Sequence, residues 1–322
     1  MLSFDQVLQI IESEIDRLKF NRHPQSLYIP VHYILSLGGK RIRPALLLMA
    51  CNLYNDELEK AIKPAIGMEI FHNFTLLHDD LMDMSEKRRN QLTVHKKWNE
   101  NTAILSGDTM LILAYQFVCE TSPCLLKQIL DLFTQTALEI CEGQQYDMEF
   151  ETRQDVSEEE YIEMIRLKTA VLLACCLKSG ALIGGASQEE ANRLYQIGIH
   201  LGLAFQLQDD LLDTFGDPLT FGKNIGGDIV CNKKTFLLIQ TLKHASCEQK
   251  EIIRHLQSHS NPTEKISAIK SIYEDVGVRE ITICRIHDYY CRAIEELSKL
   301  NLPAERLQTL NETVDLLLRR KS

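Results

Sequence analysis

The 322-residue chain has no C-x-x-C pair, and its ten cysteines fall at irregular spacing. No disulfide framework or paired-thiol metal site can be read from them, which points to a reduced, cytoplasmic protein. No apolar run approaches the roughly 18 consecutive residues that a membrane span needs. The opening MLSFDQVLQIIESEIDRLKF is amphipathic and acidic, unlike a signal peptide. Positive charge is also short: the formal net charge of −10 argues against nucleic acid as a partner and against attraction to an anionic lipid surface. Alternating apolar and polar segments joined by hairpin turns are missing, as are short repeats and any Pro/Ser-rich linker. These absences favour one helical domain over residues 1–322, a length that can bury a substantial core.

What the sequence does have is helical periodicity. Apolar residues recur three and four positions apart, as in Leu8, Ile11, Ile15 and Leu18, or Leu194, Ile197, Leu201 and Phe205. Helices are expected over about 3–20, 44–54, 61–84, 102–120, 123–149, 158–178, 188–215, 233–243, 246–258, 263–300 and 303–320. The eight prolines are expected between these runs or at their starts.

One acidic cassette occurs twice, as Asp79-Asp80-Leu81-Met82-Asp83 and as Asp209-Asp210-Leu211-Leu212-Asp213, each at the end of an apolar helical run. In a helix the first and last Asp of a cassette share a face, so two carboxylates can grip one hard cation. Oxygen-only ligands of this kind suit Mg²⁺, which keeps several waters and binds substrate phosphates as well. A single such motif often belongs to a solvated face, but two following apolar runs point to metal. Cations gather beside them. Gly38-Gly39-Lys40-Arg41-Ile42-Arg43-Pro44 places three in a glycine-opened loop at a helix start, where free N–H groups also favour an anion. Arg88-Arg89 follows the first cassette, and guanidinium groups match phosphate oxygens bidentately. Lys168-Thr169 lies mid-helix in an apolar setting, while Lys223 and Lys233-Lys234 follow the second cassette.

In order along the chain, GGKRIRP at 38–44, HNFTLLHDDLMD at 72–83, RR at 88–89, KTA at 168–170, GLAFQLQDDLLD at 202–213, FGD at 215–217, and GK, GGD and NKKT between 222 and 235 resemble the trans-isoprenyl diphosphate synthases, the head-to-tail prenyltransferases. The resemblance implies an all-α helical bundle around a deep central cavity, acting as a homodimer. It implies a Mg²⁺-dependent condensation of isopentenyl diphosphate with allylic diphosphates. Isopentenyl diphosphate would be held by Lys40, Arg43, His72 and Arg89, and the allylic diphosphate by Arg88, Lys168, Lys223 and, less directly, Lys233. Three Mg²⁺ would share the allylic diphosphate's oxygens with Asp79, Asp83 and Asp209, with Asp80, Asp210 and Asp213 acting mainly behind them or through water. Thr169 and Gln206 would lie near the developing carbocation, and Arg319-Arg320-Lys321 resembles a tail that closes over isopentenyl diphosphate in some members.

The resemblance also bears on product length. An aromatic five before the first Asp, here Phe74, with a small residue four before, here Thr75, resembles enzymes making C20 geranylgeranyl diphosphate; C15 and longer-chain synthases are the alternatives. Helical spacing alone puts His72, Thr75 and Leu76 nearer the Asp face than Phe74. A terpene cyclase normally lacks the second full cassette and the GGKRIRP loop, and a non-catalytic partner subunit would have lost a cassette or its cations. The family's usual Arg-Arg-Gly is Arg88-Arg89-Asn90 here, so the turn after the first cassette is expected to be shaped differently. Cys284, His287 and Cys291 share a helical face, but no fourth zinc ligand is evident nearby.

Overall fold

A computed structural model describes residues 1–216, 225–257 and 261–318. Its helices are α1 (Phe4–Asp16), α2 (Gln25–Ser36), α3 (Ile42–Asn52), α4 (Glu59–Met82), α5 (Val94–Lys97), α6 (Glu100–Val118), α7 (Pro123–Thr152), α8 (Glu158–Ile165), α9 (Val171–Gly184), α10 (Gln188–Phe215), α11 (Gly227–Val230), α12 (Phe236–His244), α13 (Cys247–Leu256), α14 (Pro262–Val276), α15 (Val278–Ser298) and α16 (Ala304–Leu318). A π-helical turn, Arg166–Ala170, joins α8 to α9. The chain is all-α, as its periodicity predicts. The one sheet among the described residues is a hairpin of β1 (Lys87–Arg88) and β2 (Gln91–Leu92).

Local chemistry explains several helix starts. Ser3 with Gln6, Ser157 with Glu160 and Ser246 with Gln249 form reciprocal capping boxes at the starts of α1, α8 and α13. Asn99 caps α6, and Asn261 caps α14 ahead of Pro262. The expected helix over 263–300 is two: Gly277, at φ +71°, ends α14 and starts α15. Pro30 lies inside α2, a helix that the apolar spacing does not reveal, and Pro64 lies inside α4.

The described chain divides into two compact units. The first comprises Met1–Thr134, Cys175–Leu194 and Asn301–Leu310. Its core runs along α4 and α6, with α3 packed against α4. Leu46 through Ala50 on α3 and Met68, Ile70 and Phe71 on α4 are almost wholly buried, so α3 and α4 are core helices and not surface ones. Close backbone approach holds this core together. A Cβ on Gly67 would meet Val118 at 2.8 Å, and one on Gly180 in α9 would overlap the Leu47 carbonyl oxygen on α3.

The second unit comprises Gln135–Ala174, Tyr195–Leu300 and Asn311–Ser322. Here α10 lies against the π-turn and the start of α9. Gly198 abuts Ala174, and Gly202 abuts Ala170, in each case so closely that a Cβ would overlap the opposing backbone. From α7, Gly143 meets the π-turn at Lys168 in the same way. The continuous run Glu158–Gly184 is long and apolar enough to cross a membrane, with mean hydropathy 1.6 over an 18-residue stretch, but 78% of that stretch is buried inside the fold. It is the one such helix among the described residues, and it serves as core.

Substituting Gly180→Ala should therefore force α9 and α3 apart and cost about 3 kcal/mol of stability. Equilibrium urea unfolding followed by circular dichroism measures this; an unchanged midpoint would mean that the close approach is not required.

Candidate functional site

Both cassettes lie at helix C-termini, and neither helix has a basic residue in its last turn. The helix dipole places partial negative charge at that end, so the carboxylates there repel one another and the carbonyls beside them. A cation relieves both.

In the first unit the three Asp side chains are not equivalent. Asp83 caps α4 and is exposed, its N–H donating to the Asp79 carbonyl at 2.8 Å. Asp79 is 21% exposed, but Asp80 is buried at 3%. Arg88 covers it, donating from Nε to Asp80 Oδ2 at 2.8 Å and lying 3.8 Å from Asp79 Oδ2. Burial pushes the Asp80 carboxyl above its ordinary value, while Arg88 opposes that shift. Its second oxygen, Oδ1, is buried without a partner.

The hairpin after α4 aims the two arginines apart. Arg89 and Asn90, at φ +51° and +62°, are its two central residues, both left-handed as a two-residue loop demands. Asn90 thus tolerates the turn that glycine would make freely, and both arginines stay in place. Whereas Arg88 reaches the cassette, Arg89 reaches the glycine loop and donates to the Gly38 carbonyl. Its guanidinium lies within 3 Å of where a Cβ on Gly39 would be, and Gly39 has φ +140°. Only glycine suits that position.

The three cations of the 38–44 segment also divide. Arg41 is buried at 6% exposure and donates to Glu69 Oε1 and to the Leu35 carbonyl, each at 2.6 Å. Asn73 completes this buried group by donating to Glu69 Oε1 at 2.8 Å. Arg41 is therefore a fold residue, whereas Lys40 is exposed. Arg43 donates to His72 Nε2 at 3.0 Å. Burial first, then the charges of Arg43, Arg89, Arg88 and Arg41, draw the His72 pKa well below its ordinary value. His72 is a neutral acceptor among cations. Before the cassette, the Phe74 ring lies tilted 5.6 Å from Phe71 and edge-on 4.8 Å from His78, Phe71 meets Phe133 edge-on at 5.0 Å, and the Thr75 hydroxyl donates to the His72 carbonyl at 2.8 Å.

In the second unit, Asp209 and Asp213 are partly exposed while Asp210 is buried at 4%. Among the described residues, the partners of Asp210 are uncharged. Gln206 Nε2 donates to its Oδ1 at 3.0 Å, and the Tyr161 hydroxyl donates to its Oδ2. Burial and the nearby Asp228 push its carboxyl up to about 8, against those two hydrogen bonds. The Gln206 oxygen accepts from the Thr169 hydroxyl at 2.9 Å. Asp213 Oδ2 accepts the Asp228 N–H at 3.0 Å. Lys168 is held by Asp147 of α7 at 2.6 Å, and Lys233 lines a small cleft with Thr214, Asp228 and Tyr273. Lys234 is turned inward to the Asn232 carbonyl.

The first unit thus brings together Asp79, Asp80, Asp83, Arg88 and Arg89, with Arg43 beside His72. The second unit brings together Thr169, Gln206 and Asp210. Lys223 and Arg319-Arg320-Lys321 lie outside the described residues. Sequence reasoning missed Asp147 and Tyr161; a glycine inside the strong α7 pattern, four residues before Asp147, was the available signal for the first. Among the described residues no three His, Cys, Asp or Glu side chains converge on one point. The Cys291 sulfur packs 3.6 Å from His287, and the face with Cys284 forms no metal cluster. The all-oxygen donors of each cassette, with Asp80 Oδ1 unpartnered, fit a hard divalent cation and not a thiophilic one.

The chain matches the polyprenyl synthetase family over residues 24–276. A geranylgeranyl diphosphate synthase of Methanosarcina mazei is 41% identical over 235 residues, 72% of this chain and 72% of that protein. A crystal structure of a geranylgeranyl pyrophosphate synthase matches with TM-score 0.95 at 44% identity, covering 100% of both chains. The geranylgeranyl pyrophosphate synthetase of Pyrococcus horikoshii Ot3 matches with TM-score 0.90 at 31% identity, covering 98% of each.

The depressed His72 pKa has a consequence for stability. Below the ordinary histidine value of about 6.5, the unfolded chain takes up a proton that the folded chain refuses. Stability should fall as pH drops through that range, by at most about 1.4 kcal/mol per pH unit from this group. His72→Gln should flatten the decline between pH 6.5 and 5.5, measured by urea unfolding; a curve parallel to wild type would contradict the assignment.

Proposed function

The chain belongs to the polyprenyl synthetase family and is a prenyltransferase, and we propose that it condenses isopentenyl diphosphate with allylic diphosphates to give C20 geranylgeranyl diphosphate. One observation carries this reading: in each cassette the outer carboxylates are partly or fully solvent-exposed towards a helix C-terminus, while the middle one is buried and bonded from behind. Such an arrangement presents charge outward to a ligand and keeps it from collapsing inward. The C20 product is supported by the Phe74-Thr75 pair and by the geranylgeranyl synthases among the relatives.

Asp79, Asp83 and Asp209 would hold three Mg²⁺, with Asp80, Asp210 and Asp213 acting behind them. When bound, Mg²⁺ supplies positive charge to a departing diphosphate. Arg88, Lys168, Lys233 and Lys223 would bind the allylic diphosphate, and Lys40, Arg43, His72 and Arg89 the isopentenyl diphosphate. His72 would do so as a neutral group that steers Arg43. The allylic C–O bond breaks, with its electron pair leaving on the diphosphate. The isopentenyl double bond then supplies the new C–C bond, and the freed diphosphate takes the proton lost afterwards. No side-chain nucleophile is required. Thr169 and Gln206 would present oxygens to the allylic cation, and the apolar walls would exclude water.

Below the first cassette, Phe74 would floor the pocket for the growing chain, backed by Phe71 and Phe133. We further propose a cytoplasmic homodimer. Leu105 and Ile112 of α6, 58% and 63% exposed in the single chain, are apolar residues that pairing would cover.

Turnover of isopentenyl diphosphate with dimethylallyl, geranyl or farnesyl diphosphate and Mg²⁺, with the product sized by chromatography, tests the reading. A C20 product is expected from wild type and longer products from Phe74→Ala; no turnover with any starter would sink it. In the same assay, Asp79→Ala and Asp209→Ala should each lose at least about 10²-fold in rate while staying folded. Either variant retaining most of its activity would contradict the metal assignment.

A further inference from the structure

The cassettes use their middle aspartates differently, and the second use extends beyond the cassette. Both Asp210 oxygens are committed, Oδ2 to the Tyr161 hydroxyl and Oδ1 to Gln206 Nε2 at 3.0 Å. Donation from its nitrogen fixes which way the Gln206 amide points, and its oxygen in turn accepts the Thr169 proton at 2.9 Å. Flipping that amide would break two bonds at once. The chain Tyr161→Asp210←Gln206←Thr169 leaves the remaining Thr169 lone pairs turned away from Gln206. Donating the amide N–H to Asp210 also makes the amide oxygen a better acceptor, and through it enriches the Thr169 oxygen.

A second, independent feature holds the far end. Thr169 stands in the π-turn, whose extra residue is accommodated between α7 and α10 because Gly143 and Gly202 leave room for its backbone. Such turns recur where a helix must aim a functional side chain. Thr169 is thus fixed from its backbone and Gln206 from Asp210. The Asp210 carboxylate is fixed in turn by Tyr161 on α8, a fully desolvated hydroxyl with no other role in the proposed chemistry.

We propose that Tyr161 is a positioning residue for prenyl transfer: through Asp210 it orients the Gln206 amide, and through Gln206 the Thr169 hydroxyl that faces the allylic cation. Removing the hydroxyl leaves Asp210 Oδ2 buried and unpaired. The carboxylate then turns towards another donor and releases Gln206. This inference rests on the prenyl-transfer reading above.

A double-mutant cycle on single-turnover rates with isopentenyl and farnesyl diphosphates tests it. Wild-type turnover first establishes the reaction, so its absence would overturn the function and not merely this residue's part in it. Tyr161→Phe should slow the single turnover about 10-fold, with the Kd of the allylic diphosphate changed less than about twofold. In a Gln206→Ala background the same substitution should cost less than about twofold, because Tyr161 then has nothing left to orient. An equal loss in both backgrounds, or a weakened Kd with the rate intact, would overturn the inference. If Tyr161→Phe does not fold, Asp210→Asn replaces it in the cycle. That variant still accepts from Tyr161 but turns a nitrogen towards Gln206, so the same coupling to Gln206→Ala is expected, and additivity again overturns the inference.

Discussion

Three carboxylates crowded at the C-terminal end of a helix, in each of two helices, form the constraint on which the remaining site geometry depends. Aspartates are ordinarily favoured at helix N-termini, where the dipole stabilises them. Here they stand at the opposite end, with no lysine or arginine in the last turn to offset them. The structure answers this inside the protein by burying the middle Asp and giving it donors. It leaves the outer pair within reach of solvent, where a cation can approach them.

Backbone strain gathers around the first of these ends. Arg41, Met84, Arg89 and Asn90 are non-glycine residues at positive φ, and all four lie in the glycine loop or between α4 and β2. Each such residue costs about 1–2 kcal/mol. Arg41 is compensated by its buried bonds to Glu69 and the Leu35 carbonyl, and Arg89 by its bond to the Gly38 carbonyl. The arginines at 88 and 89 can point to different partners only because they straddle the start of a two-residue hairpin loop. Strain concentrated here and compensated locally is the mark of a segment selected for where it puts charge and not for ease of folding.

Much of this was legible in the sequence, for physical reasons. The i, i+4 spacing of Asp79 with Asp83 and of Asp209 with Asp213 is a helix property, and α10 begins and ends where periodicity puts it. Other elements escaped because their cause is not local. The pattern of α2 is masked by its internal Pro30, and the break at Gly277 is hidden by apolar spacing that continues through it. A π-turn leaves little trace in apolar period, since one extra residue in a mostly buried helix barely moves the polar-apolar boundary. Tyr161 and Asp147 were invisible for another reason: each is bonded to a residue 49 or 21 positions away, and only the folded chain brings those partners within reach.

The duplicated cassette conceals a difference in charge that the sequence does not display. Arg88 lends Asp80 a full positive charge, so the first cassette and its cover carry two net negatives. Tyr161 and Gln206 give Asp210 hydrogen bonds but no charge, and Asp228 stands close enough to raise its pKa further. Coulomb repulsion in a partly desolvated site grows with each uncompensated carboxylate. Among the described residues the middle carboxyl of the second cassette is thus less compensated by charge than that of the first, although the two read alike residue by residue.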